Sequence, residues 1–199
     1  KRRGARLICI DPRRTDTADK CHEHLALLPG TDAALALGLM HELIVNDWLD
    51  HDYLDQHTQG WPQLRERALQ WPPQRVAHVC GLLAGQVSDL AREYGQTARR
   101  GEPVAIRLNY GMQRVHGGGN AVRAVACLPA LVGAWRHRAG GVLLSSSGVY
   151  RTRLAALQQP ELLAGRQPRS LNMATIGDAL LAPGGGAFGP RIAAMLVYD

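Results

Sequence analysis

Leu25-Ala26-Leu27-Leu28-Pro29-Gly30-Thr31-Asp32-Ala33-Ala34-Leu35 holds a strand, a turn and a helix start in one short stretch. The apolar run Leu25–Leu28 is too short for a helix and is stopped by Pro29-Gly30, which reads as a buried strand entering a turn. Thr31 is a good N-cap, and Asp32 suits the first turn, where free N–H groups and the helix dipole favour negative charge. From Ala33 to Trp48 the leucines at 35, 39 and 43 recur at helical spacing, giving the most strongly patterned helix of the chain. The same grammar recurs on either side. Upstream, Ala5–Ile10 is a β-branched apolar run ending at Asp11-Pro12. Downstream, Pro103–Leu108 reads as a strand, Asn109–Gly118 as a loop, and Asn120–Trp135 as a nearly all-apolar, hence buried, helix. Gly140-Gly141 then turns into a strand at Val142–Leu144, Leu171–Leu181 reads as a helix, and Ile192–Tyr198 as a last buried strand. Asp50–Arg100 is broken by Gly60, Pro62, Pro72-Pro73 and Gly81, so short helices are predicted there, with Val87–Arg100 the longest. Ser145–Arg169 has no clear period. Strands alternating with helices predict an α/β fold built on a doubly wound, mainly parallel sheet flanked by helices.

Composition narrows the function class. The chain has 199 residues, 46% of them hydrophobic and 20% charged, which is globular and argues against disorder. Its 23 Lys+Arg outnumber 17 Asp+Glu, a net charge of +6. The basic residues are scattered and aromatics are only 5%, so an interleaved nucleic-acid surface is not expected. No apolar run is long enough to span a membrane. The cysteines at 9, 21, 80 and 127 form no C-x-x-C pair, which argues against a zinc ribbon. The chain opens at Lys1 without Met and closes at Asp199 directly after a strand-like run, so a fragment of a longer protein is expected. Location stays open, with the cytoplasm favoured over the periplasm.

In a parallel α/β sheet, ligands bind beyond the carboxyl ends of the strands. Three loops leave such ends. The first, Asp11-Pro12-Arg13-Arg14-Thr15, offers a carboxylate at a strand tip and two guanidinium groups suited to phosphate; the plain alternative is a solvated turn with Pro12 as its stop. The second, at Gly30, Thr31 and Asp32, allows close backbone approach and presents helix N–H groups to an anion, or is simply a helix cap. The third runs from Asn109 through Gln113 to His116 and Gly117-Gly118-Gly119, with amide side chains and a flexible rim leading to a helix. Cys21-His22-Glu23-His24 resembles a metal cluster only on paper, because no second ligand pair supports it; it reads as the approach to a strand. His41 reads as a satisfied histidine at the edge of the core, and Cys9 and Cys127 as small buried hydrophobes.

These loops, in this order, resemble the molybdopterin oxidoreductase family of the dimethyl sulfoxide reductase and formate dehydrogenase type. Leu7–Thr15 is similar to its strand and Asp-Pro-Arg-Arg-Thr loop, and Pro29–Leu35 to its Pro-Gly-Thr-Asp helix start. Asn109–Gln113 with Ala121–Ala124, Leu131-Val132-Gly133 with Gly140-Gly141-Val142, Leu171–Met173 and Met195–Tyr198 also fit, so nearly the whole chain is covered. The resemblance implies an oxidoreductase holding molybdenum or tungsten through the dithiolenes of two molybdopterin guanine dinucleotides. Residues 1–145 would be part of the domain binding one dinucleotide, and 146–199 the start of the adjacent α/β domain. Asp11, Pro12, Arg13, Arg14 and Thr15 would line the nucleotide. Gly30, Thr31 and Asp32 would meet its guanosine end, and Asn109 and Gln113 the pterin. The family's 4Fe-4S cysteines and metal-ligating residue lie upstream, so no residue here is expected to be catalytic or to bind metal. Expected partners are a small-molecule substrate, the rest of the chain and electron-transfer subunits. The alternative is a doubly wound nucleotide-binding module without molybdenum.

Overall fold

The computed structural model describes residues 4–197, and the chain divides between Tyr150 and Arg151 into two units. The first begins with strand β1 (Ile8–Ile10), helix α1 (Asp16–Lys20) and strand β2 (Glu23–Leu25). Helices α2 (Asp32–Val45), α3 (His51–His57), α4 (Trp61–Leu69), α5 (Pro73–Cys80) and α6 (Ala84–Arg99) follow. Strand β3 (Ala105–Arg107), helix α7 (Gly118–Leu131) and strand β4 (Gly141–Leu143) complete it.

The fold is α/β and richer in helix than in strand. β1 and β2 pair in parallel, with Cys9 opposite His24, and β3 and β4 pair in parallel, with Ile106 opposite Val142. Among the described residues these are two separate two-stranded ladders, where the sequence predicts one doubly wound sheet. One reason is visible at Leu25–Leu28. Leu25 stays in the ladder, whereas Leu28 leaves it and donates its N–H to the Cys80 carbonyl at the end of α5 (2.8 Å). The apolar run thus serves a strand first and a helix terminus second.

Helix α2 is the centre of the first unit. Ala34, Leu35, Ala36, Leu39, Met40 and Leu43 are buried, so it has no wet face of ordinary width, and α4, α5, α6 and α7 all pack on it. Two glycines set the closeness of that packing. A Cβ on Gly38 would stand 2.6 Å from Val76 of α5, and one on Gly95 of α6 would stand 2.6 Å from Leu43 and 2.8 Å from Trp48. The helix stops at Val45, three residues before the sequence predicts. Asp47 takes a left-handed backbone conformation (φ 53°), and the Trp48 N–H turns back to the Leu43 carbonyl (2.8 Å). His41 departs from expectation as well: its Nδ1 is buried without a hydrogen-bond partner, as is the Tyr94 hydroxyl.

The end of α7 is fixed by Asp50. The Asp50 N–H donates to the Leu131 carbonyl (2.8 Å), and its carboxylate accepts from Tyr53 at the start of α3 (2.9 Å) and from Arg136 (2.8 Å). A Cβ on Gly133 would lie 2.1 Å from the Asp50 carboxylate, so α7 ends in a glycine turn at Leu131 and Trp135 falls on a separate 3-10 turn.

The second unit carries α8 (Leu154–Gln158) and α9 (Ile176–Leu181) among 3-10 turns and is largely exposed. The strand expected at Ile192–Tyr198 is not formed over residues 192–197, and Leu196 is 93% exposed; Tyr198 lies outside the described residues. A parallel strand needs a neighbour for its backbone groups, and among the described residues of this unit no strand supplies one.

Two tests follow from this packing. Gly95→Ala should destabilise the protein by about 1–3 kcal/mol through overpacking against Leu43 and Trp48. Gly85→Ala, at the open start of the same helix with nothing within 4 Å, should stabilise it by about 0.5–1 kcal/mol. Urea denaturation reads both signs. Asp50→Ala should cost about 1 kcal/mol near neutral pH through loss of the cap. The Arg136 hydrogen bond holds the Asp50 carboxyl below its ordinary range. That stabilisation is complete above about pH 3.9 and is lost as pH falls through the depressed value. Wild type and variant should therefore converge in strongly acidic solution, and parallel stability curves from pH 7 to pH 2 would count against the pairing.

Candidate functional site

The first loop is tied down from behind. The Asp11 N–H donates to the Leu25 carbonyl (3.2 Å), and His24, one residue earlier on β2, donates through Nε2 to the Asp11 carbonyl (2.8 Å). The Asp11 carboxylate accepts from the Arg13 N–H (2.8 Å), which tightens the turn around exposed Pro12. Thr15 caps α1 by accepting from the Ala18 N–H (3.3 Å). The two arginines, equivalent in the sequence, are separated here. Arg14 folds back onto α1 and pairs with Asp19 (2.6 Å), whereas exposed Arg13 makes no ion pair with the described residues.

The second loop turns through Gly30 (φ 81°). Thr31 occupies the N-cap position of α2, yet its hydroxyl donates backwards to the Leu28 carbonyl (2.6 Å), so the Thr31 side chain does not cap this helix. Asp32 is half-buried behind it. Burial pushes its carboxyl up, the nearby Asp11 charge pushes the same way, and its own backbone N–H only partly offsets them. Neither Asp11 nor Asp32 meets a cation among the described residues. Cys80, at the end of α5, donates from Sγ to the Thr31 carbonyl (3.5 Å) and closes the floor of the loop.

The third loop meets the second at Val115, whose Cγ2 would stand 3.7 Å from a Cβ on Gly30. Asn109 accepts from the Tyr110 N–H (2.9 Å), and Gln113 lies in the 3-10 turn Tyr110–Arg114. Asn109, Gln113 and His116 are all exposed. The structure thus brings Asp11 and Asp32 into electrostatic reach and sets Gly30 against the third loop. It commits Arg14 and Thr15 to α1, and the Asn109 and Gln113 side chains make no bond to the other two loops. Sequence reasoning missed three supports: His24, Cys80 and Val115. The signal for His24 was its alternation on β2; Cys80 and Val115 had none.

Among the described residues no group of three or more His, Cys, Asp or Glu side chains is arranged to hold a metal ion. His22 accepts through Nδ1 from the Leu7 N–H (2.9 Å), and Glu23 pairs with Arg6 (2.8 Å). The chemistry left at the strand tips is specific. Two uncompensated carboxylates, one half-buried, can accept from a pair of adjacent N–H donors, and Arg13 stands ready for an anion beside them.

Residues 1–173 match the family model described as molybdopterin oxidoreductase, and the chain belongs to that family. It is 37% identical over 198 residues to the probable oxidoreductase YoaE of Bacillus subtilis, covering all of this chain and 28% of that protein. It is 32% identical over 158 residues to the dimethyl sulfoxide/trimethylamine N-oxide reductase of Cereibacter sphaeroides, covering 73% of this chain and 18% of that one. The solved structure of acetylene hydratase from Pelobacter acetylenicus superposes with a TM-score of 0.64 at 32% identity, over 69% of this chain and 18% of that chain. The chain therefore spans between 18% and 28% of the length of these relatives.

The raised Asp32 carboxyl has a measurable consequence. Its ionised form costs stability at pH above the raised value, and that cost is relieved as pH falls through it. Asp32→Asn should therefore be at least as stable as wild type at pH 7 in the ligand-free protein, with the difference shrinking toward pH 4. A variant that is less stable than wild type at pH 7, by urea denaturation, would show that Asp32 serves the helix and carries no strain.

Proposed function

We propose that this chain grips one dinucleotide of a molybdenum or tungsten bis(molybdopterin guanine dinucleotide) cofactor within a longer oxidoreductase. The observation that supports the reading is that the carboxylates of Asp11 and Asp32, at the tips of β1 and α2, and the exposed Arg13 beside Asp11 in sequence make no ion pair among the described residues. Asp32 accepts from the N–H edge of guanine, and the backbone at Gly30 and Thr31 lies against the guanosine. Arg13 faces phosphate, while Arg14, Thr15 and Pro12 shape the turn that presents it. Asn109 and Gln113, on the exposed third loop, turn toward the pterin. The cofactor supplies two-electron redox chemistry on a small substrate; this chain orients it and sets its electrostatic surroundings.

In the same reading the two parallel ladders belong to one doubly wound sheet, completed by other parts of a longer chain. Residues 1–145 form part of the dinucleotide-binding domain, and 146–199 begin its neighbour. The 4Fe-4S cluster, the metal-ligating residue and any contacts to electron-transfer subunits lie outside this chain. Support comes from the family membership and from relatives that include a formate dehydrogenase and dimethyl sulfoxide reductases.

The test uses the full-length protein made in a host competent for the cofactor. Metal is measured by elemental analysis, and guanine nucleotide after acid release. Wild type should carry molybdenum or tungsten together with guanine nucleotide. Asp32→Ala removes a charged hydrogen-bond acceptor worth about 1.5–3 kcal/mol, so retention after dialysis should fall by about 10- to 100-fold. Asp55→Ala, an exposed carboxylate of α3, should retain the wild-type amount. Folded wild-type protein with metal absent and no guanine nucleotide would overturn the proposal in favour of a nucleotide-binding module without molybdenum.

A further inference from the structure

The second loop is held at two points by the end of α5. The Leu28 N–H donates to the Cys80 carbonyl (2.8 Å), and Cys80 Sγ donates to the Thr31 carbonyl (3.5 Å), so one residue bonds both ends of the Leu28–Thr31 turn. Each bond has a local reason. The Cys80 carbonyl lies in the last turn of a helix, where carbonyls lack an intrahelical donor. The Thr31 carbonyl opens α2, accepting from the Ala34 and Leu35 N–H groups (3.0 and 3.1 Å), and it shares a peptide plane with the Asp32 N–H. Gly81 lets the two segments come this close: it turns left-handed (φ 70°), and a Cβ on it would stand 3.1 Å from Leu28. The Cys80 side chain is fully buried. Burial, and after it the Asp32 charge, push its thiol up, which keeps it protonated and able to donate.

We propose that Cys80 is a positioning residue for the second loop: its carbonyl and thiol together latch Leu28 and Thr31, and so fix the backbone of Gly30, Thr31 and Asp32 against a guanosine. This role rests on the guanosine reading of the loop given above. Cys80 is not a contact to the nucleotide; it acts through the Thr31 peptide. The latch has a firm base, because α5 is itself anchored. Val76, one turn earlier, is buried and meets α2 where Gly38 has no side chain. The thiol bond thus ties the loop, across 49 residues of sequence, to the same core that holds α2. Without it the turn keeps its Leu28 end and the first bonds of α2, but loses a restraint on the peptide that precedes Asp32. Backbone that has to be ordered again on binding lowers affinity, so a loosened loop retains its ligand less well.

The full-length protein is made in a host competent for the cofactor as wild type, Cys80→Ala, Cys80→Ser and Leu54→Ala. Leu54 is a buried leucine of α3, a helix that packs on α7. Guanine nucleotide retained after dialysis is measured per folded molecule. Cys80→Ala should retain about 2- to 10-fold less than wild type, the scale set by one net hydrogen bond, and Cys80→Ser, which restores a donor, should recover most of the loss. Leu54→Ala should lower the urea midpoint at least as far as Cys80→Ala and yet retain the wild-type amount, which separates positioning from general loss of stability. Hydrogen exchange on the ligand-free proteins is the second readout: the amides of 28–35 should exchange faster in Cys80→Ala than in wild type or Cys80→Ser. Wild-type retention by Cys80→Ala, or equal losses in Cys80→Ala and either Cys80→Ser or Leu54→Ala, would overturn the proposal. Wild type without guanine nucleotide overturns the guanosine reading instead, and the exchange rates then decide the latch alone: faster exchange in Cys80→Ala supports it, and unchanged exchange removes it.

Discussion

The burial of α2 is the constraint on which the rest of the first unit depends. A helix with Leu35, Leu39, Met40 and Leu43 all buried cannot rest on one neighbour, so α4, α5, α6 and α7 are held around it. Each of those side chains is worth about 2–5 kcal/mol against truncation to alanine, a large part of a typical net stability of about 5–15 kcal/mol. The same burial fixes where the helix begins. Its first turn carries Asp32, and the loop before it carries Gly30 and Thr31, so the position of the candidate site is an outcome of core packing thirty or more residues away in sequence. Gly38 and Gly95 matter for this reason: they let α5 and α6 approach closely enough to hold the axis in place.

The electrostatics of the site run opposite to those of the chain. The protein carries a net charge of +6, yet the first two loops present two carboxylates, Asp11 and Asp32, that meet no cation among the described residues. Net charge speaks to long-range attraction, whereas recognition at a few ångströms is decided by which groups remain unpaired after folding. Folding consumes Arg14 in a pair with Asp19 and Arg6 in pairs with Glu23 and Glu93. It leaves Asp11 and Asp32 without an ion pair among the described residues, and the Asp11 charge adds to burial in pushing the Asp32 carboxyl up.

The sequence was informative where short-range chemistry decides the outcome. Pro29-Gly30-Thr31-Asp32 announces a turn and a helix start, and both are there. The family was legible for the same reason, since its loops are written in short, ordered motifs. What escaped was set by contacts distant in sequence. The ends of α2 and α7 depend on Asp47 turning left-handed and on Asp50 needing the space above Gly133. Thr31 stands at the cap position, but its hydroxyl is taken by Leu28, a competition that N-cap statistics do not show. The equivalence of Arg13 and Arg14 in the sequence is broken only by the position of Asp19 on α1. His24, Cys80 and Val115 act as supports for loops that lie far from them in the chain, so spacing alone gave little warning of them.

The pairing of α2 with α7 also sets an order of events during synthesis. Roughly 86 residues separate the end of α2 from the end of α7. At about 5–20 residues per second, α2 waits on the order of 4–17 s for the partner with which it shares its most extensive interface. In that interval α4, α5 and α6 emerge in turn, and each can cover part of its apolar surface. The polar, proline-punctuated helical segment between 50 and 100 therefore acts as a temporary sheath, keeping the most hydrophobic helix of the unit out of water until α7 arrives.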